Sequence, residues 1–156
     1  MSLPLLETLL AARSPLALCT VMQVKGSAPR HAGSWMLAGE EGLVAGSVGG
    51  GKGESFVLAT ARAALADGRP RVVAVEMQGN EAEGMDMVCG GTSQVLVEPL
   101  VSKAAYEAAR ERLLRGVRVV LARRMETGEC AAMDEAGGWW PARLEGADAG
   151  AARRAL

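Results

Sequence analysis

Aromatic side chains and histidine are almost missing from this chain, which has one Phe, one Tyr, three Trp and one His among 156 residues. Its core must therefore be filled by Val, Leu, Ala and Met. With His31 as the single histidine, no Ser-His-Asp arrangement is visible, nor a pair of carboxylates spaced for acid–base work, so an independent hydrolase is not expected. A basic surplus is also lacking. The formal net charge is −1 with no block of like charges, which argues against nucleic acid as a partner. The cysteines Cys19, Cys89 and Cys130 are odd in number, widely spaced and without a Cys-x-x-Cys pair. They support neither a disulfide framework nor a four-ligand zinc site, and no resident metal is expected. Long apolar runs are absent too. The stretch 16–24 is interrupted by Cys19, Thr20 and Gln23 and is too short to span a bilayer, so no membrane partner is expected. The first basic residue is Arg13, which leaves no charged secretory leader, and the expected compartment is the cytoplasm.

What the chain has in plenty is glycine, 20 residues of it, so backbone shapes its key loops. Leucines at helical spacing predict a helix over 3–13, stopped by Ser14-Pro15. Residues 16–24 read as a buried strand and 25–33 as a loop, followed by a hairpin of 34–37 and 43–45. A glycine-rich segment, 46–53, opens a helix over 54–66 that ends at Asp67-Gly68. Strands are expected at 71–77 and 93–98, with a long polar loop at 78–91 between them, then a helix over 102–114 with Ser102 as its N-cap. The last third reads as a strand at 117–124, a turn at Thr127-Gly128, then 130–133 and Trp139-Trp140. Helix, strand, loop and hairpin thus recur, which suggests an internal pseudo-repeat. The expected architecture is α/β: a single domain over 1–144 with a mixed β-sheet flanked by helices, and a peripheral segment over 145–156.

The segment Gly46-Ser47-Val48-Gly49-Gly50-Gly51-Lys52-Gly53 lies between a strand and a helix. There the free N–H groups of the first turn and the helix dipole favour an anion, and glycines let successive N–H groups converge. The alternative is a tight turn with positive φ and no ligand. Gly46, Gly51 and Lys52 also approach a Walker A pattern, which opens a second reading as a degenerate P-loop for nucleotides. Gly53 stands where Ser or Thr would hold magnesium, however, and the preceding strand belongs to a hairpin.

Several motifs occur in a fixed order: Gly26-Ser27-Ala28-Pro29-Arg30, then Gly33 and Met36, then Gly46 to Gly51 with Glu54, then Cys89-Gly90-Gly91, then Val95-Leu96-Val97-Glu98-Pro99-Leu100. The series, within residues 5–100, resembles the XdhC/CoxI family of accessory proteins for molybdenum hydroxylases such as xanthine dehydrogenase and carbon monoxide dehydrogenase. The resemblance implies a chaperone that binds the molybdenum cofactor, takes part in its sulfuration and passes it to the target enzyme. Its implied partners are a molybdenum hydroxylase apo-enzyme and a sulfurase, and a homodimer is compatible with the sequence. Many members carry a C-terminal Rossmann domain, but no G-x-G-x-x-G follows residue 100 here, so either a short form or a truncated piece of a longer chain is expected.

The residue types agree with such a cargo, which carries a terminal phosphate and an oxo-metal centre. Ser47, Gly49, Gly50 and Gly51 would supply the anion nest and Lys52 a point charge. Gly26, Ser27 and Arg30 form a second candidate wall, in which Arg30 is either a bidentate phosphate clamp or a solvated loop charge. Glu54 either caps the helix or meets the ligand. Cys89, with Gly90 and Gly91, is the candidate for sulfur handling or molybdenum ligation, because a thiolate in such a loop is approachable. Cys19 and Cys130 read as inert.

Overall fold

The computed structural model describes residues 2–76, 90–125 and 127–155, which fall into two compact units. The first unit, Arg13–Pro99, holds β1 (Ala17–Lys25), β2 (Trp35–Gly39), β3 (Gly42–Gly46), α2 (Gly51–Asp67), β4 (Arg71–Glu76) and β5 (Thr92–Pro99). Its five strands form one sheet in the order β3-β2-β1-β5-β4, and every pairing is antiparallel.

Side-chain alternation decides which face of that sheet the helix covers. Ala17, Cys19 and Val21 of β1, Met36 and Ala38 of β2, and Val95 and Val97 of β5 join Val57, Ala61 and Ala64 of α2 in one core cluster. The helix contributes mostly alanine, so its backbone lies close to the sheet. A register shift between Val21 and Gln23 inserts one residue into β1 and resets the alternation. That shift is why Val24, three positions after Val21, packs against the same cluster.

The second unit comprises α1 (Leu3–Ala11), α3 (Ala104–Leu114), β6 (Val119–Arg123), β7 (Cys130–Asp134), β8 (Trp139–Trp140) and α4 (Ala149–Arg154). Here β6, β7 and β8 form a second antiparallel sheet. The buried face of α3 presents Ala105, Tyr106 and Ala109. Arg123 donates to the Tyr106 hydroxyl at 3.0 Å, giving that buried phenol a polar partner. Lys103 Nζ donates to the carbonyl of Leu10 at 3.2 Å and to that of Ala12, closing the C-terminal end of α1.

The α/β class and the flanking helices agree with the sequence, and the order helix–strand–strand–strand does occur twice, as α1-β1-β2-β3 and α3-β6-β7-β8. One boundary moves: α2 begins at Gly51, three residues before the expected start, so the end of the glycine run is the first helical turn. Ser102 lies one place before the N-cap Lys103, and its hydroxyl accepts from the Ala104 N–H at 3.2 Å.

Candidate functional site at the glycine end of the sheet

In the five-stranded sheet β1, β3 and β4 run in one direction, and β2 and β5 run in the other. The ends of β1, β3 and β4 and the starts of β2 and β5 therefore meet at one edge. Three of the sequence motifs leave or enter the sheet there: Gly26 to Arg30 after β1, Gly46 to Gly50 after β3, and Gly90-Gly91 before β5. The first and third touch directly. A Cβ built on Gly26 would lie 3.1 Å from Gly91 Cα and 3.3 Å from the Gly90 carbonyl oxygen. One built on Gly91 would overlap the Ser27 carbonyl oxygen and lie 2.8 Å from that of Lys25. Gly26 needs its φ of +75° as well as the space. The end of β3 lies two strand spacings from β1, roughly 10 Å at sheet separation.

The loop after β1 leaves and returns under control, because the Gly33 N–H donates to the Val21 carbonyl at 2.7 Å and the Val21 N–H donates to that of Ser34 at 2.9 Å. Ser27 and Arg30 lie on the exposed part of the excursion.

The loop after β3 is gathered by one side chain. Glu54 Oε2 accepts from the Ser47 hydroxyl at 2.7 Å, the Val48 N–H at 3.1 Å and the Gly50 N–H at 3.2 Å. The Ser47 hydroxyl in turn accepts from the Gly49 N–H at 3.1 Å. The donors of Val48, Gly49 and Gly50 are thus satisfied within the loop, with the Glu54 carboxylate as the anion at their focus. The N–H groups of Gly51 and Gly53 belong to the first turn of α2, where the helix offers no acceptor. Gly50 and Gly51 have φ of +81° and +60°, and among the described residues a Cβ on either meets nothing within 4 Å, so the backbone here is open on the side of those residues. Lys52 is exposed beside them.

Cys89 lies outside the described residues, whereas Gly90 and Gly91 are placed. Cys19 is fully buried. Desolvation, followed by the nearby carboxylates of Glu98 and Glu54, pushes its thiol up to about 12, so it is a protonated core residue and not a nucleophile. Among the described residues no group of three or more His, Cys, Asp or Glu could hold a metal ion, and no helix is long and apolar enough to cross a membrane.

Sequence reading overlooked Ser93, on β5 two residues after Gly91. It is 1% exposed, and its hydroxyl has no hydrogen-bond partner among the described residues. Its place in the alternation with Val95 and Val97 was the available signal. Ser93→Ala is expected to raise the stability of the free protein by about 1 kcal/mol, since it removes an unpaired buried hydroxyl. A fall in Tm would show that the hydroxyl is paired.

An antiparallel sheet with a helix on one face and three glycine-built segments at one end defines this part of the chain as an α/β module with a backbone-lined edge. Residues 9–76, which carry two of the three segments, match the XdhC and CoxI family. The chain is similar to the uncharacterized protein YqeB of Escherichia coli strain K12, with 32% identity over 83 residues, covering 53% of this chain and 15% of YqeB. A solved structure from Bacillus halodurans described as a xanthine dehydrogenase superposes with a TM-score of 0.75 at 26% identity, covering 94% of this chain and 46% of that one. The chain therefore spans about half of that structure and a smaller part of YqeB.

Proposed function

We propose that this chain is an accessory chaperone for a molybdenum hydroxylase of the xanthine dehydrogenase or carbon monoxide dehydrogenase type, and that it holds the molybdenum cofactor as cargo at the glycine end of the five-stranded sheet. The observation that carries this reading is the meeting of Gly26 to Arg30, Gly46 to Lys52 and Gly90-Gly91 at one edge. The match of residues 9–76 to the XdhC and CoxI family and the likeness to a structure described as a xanthine dehydrogenase support the same class of partner. The open backbone at Gly50 and Gly51 fits a phosphate on the first turn of α2, with Lys52 and Arg30 as its cationic neighbours. Cys89 is assigned to sulfur handling or molybdenum ligation, next to Gly90. In this reading the chain binds and transfers cargo, a sulfurase provides the sulfur, and the cytoplasm is the compartment.

The test is retention of molybdenum cofactor by the purified protein on gel filtration. Arg30→Ala/Lys52→Ala is expected to keep the wild-type Tm and bind about tenfold more weakly or worse, the loss of one or two charge-assisted contacts. Cys89→Ala is expected to retain less cofactor in the sulfurated form. Absence of retention by the wild type would overturn the proposal. So would stabilisation by MgATP or MgGTP that depends on Lys52, which would return the loop to the nucleotide reading.

A further inference from the structure

We infer that Glu54 is a positioning residue: it does not meet the cargo, but locks the glycine loop so that the first turn of α2 faces outward. The inference rests on the cofactor-binding reading above and deepens it. Glu54 sits one turn into a 17-residue helix that is anchored to the core by Val57, Ala61 and Ala64. From that fixed point a single carboxylate oxygen takes three donors, from the Ser47 hydroxyl, Val48 N–H and Gly50 N–H. Through the Ser47 hydroxyl it also orders the Gly49 N–H. Ser47 is also held by its N–H to the Trp35 carbonyl and Val48 by burial in the core, so Gly49 and Gly50 are the residues that hang most on this one side chain.

The loop needs such a tie. Gly49, Gly50 and Gly51 have φ of +141°, +81° and +60°, and three successive glycines have the largest backbone entropy to lose. A carboxylate accepting several hydrogen bonds offsets that loss, since bonds to a charged acceptor are the strong ones. Two consequences follow for recognition. The N–H groups of Val48 and Gly50 are already committed, so the anion-facing donors shift to Gly51 and Gly53 in the first turn of α2. A cargo anion also meets a loop ordered before binding, which keeps the entropy cost out of the affinity.

Amide hydrogen exchange on the full chain reads the tie directly. Glu54→Ala is expected to speed exchange at Val48 and Gly50 by about tenfold or more, with the amides of 57–65 unchanged, and to weaken cofactor retention by about tenfold. Glu54→Gln keeps one acceptor oxygen without the charge and should fall between wild type and Glu54→Ala in both measurements. Unchanged exchange at Val48 and Gly50 would overturn the inference. So would a loosened loop with undiminished retention, which would leave the cofactor-binding reading standing. Failure of the wild type to retain cofactor would instead remove that reading, and the exchange result would still decide whether Glu54 orders the loop. If Glu54→Ala does not fold, the comparison of Glu54→Gln with wild type decides in the same way.

Discussion

Gly91→Ala is expected to destabilise the protein by about 3–5 kcal/mol, while Gly90→Ala, one residue away, stays within about 0.5 kcal/mol of wild type. The contrast comes from what each new methyl group meets. At Gly90 nothing among the described residues lies within 4 Å of a Cβ. At Gly91 the Cβ would overlap the carbonyl oxygen of Ser27 and lie 2.8 Å from that of Lys25. Both obstacles are backbone atoms, and the segment is held by the pairing of Lys25 with Thr92. Relief therefore requires prying β1 from β5 in the middle of the sheet, and no rotamer change can provide it. Urea unfolding of the two variants measures the difference. Equal midpoints would mean that the segment after β1 and the one before β5 do not touch as described. Because that contact joins two of the candidate walls, Gly91→Ala should also impair cofactor retention in whatever fraction remains folded.

The second large effect is alkaline destabilisation through Cys19. Burial and the Glu98 and Glu54 carboxylates raise its thiol from 9.0 to about 12. The folded state thus holds the proton more tightly than the unfolded chain. Its contribution is fully present below pH 9 and is lost as the pH climbs from 9 towards 12. Over that window the loss is of the order of 4 kcal/mol, with a slope of up to about 1.4 kcal/mol per pH unit. Other groups contribute to alkaline unfolding, so the useful quantity is the difference between wild type and Cys19→Ala. Stability curves of the two that run parallel from pH 9 to 12 would refute the effect. Curves that converge as the pH rises are expected, because Cys19→Ala loses packing at every pH but has no thiol to ionise.

Cys19 also illustrates how much the sequence could say. Its position within an apolar strand marked it as inert, and the structure bears that out by burying it completely. Glu54 is the opposite case. Its place after a glycine run allowed a helix cap or a ligand contact, and only the folded loop shows its carboxylate engaged by Ser47, Val48 and Gly50. Val24 belongs with Glu54. Its spacing from Val21 breaks the two-residue period, and the bulge that restores it depends on pairing with β5, some 70 positions along the chain.

The sequence by itself determined the local elements and their order: α1 from leucine periodicity, β1 and β5 from apolar β-formers, the hairpin β2-β3 from its turn residues, and the glycine loop that leads into α2. These depend on interactions between near neighbours, which a one-dimensional reading can follow. It also supplied the ordered motifs that carry the resemblance to the XdhC and CoxI family. Tertiary structure alone decided that three of those motifs meet at one edge, because the strand order β3-β2-β1-β5-β4 is set by long-range pairing. It alone decided that Gly91 must lack a side chain, since the atoms in the way come from residues 25 and 27. It also turned the donors of Val48 and Gly50 inward, because a helix anchored by its own apolar face brings a carboxylate to them.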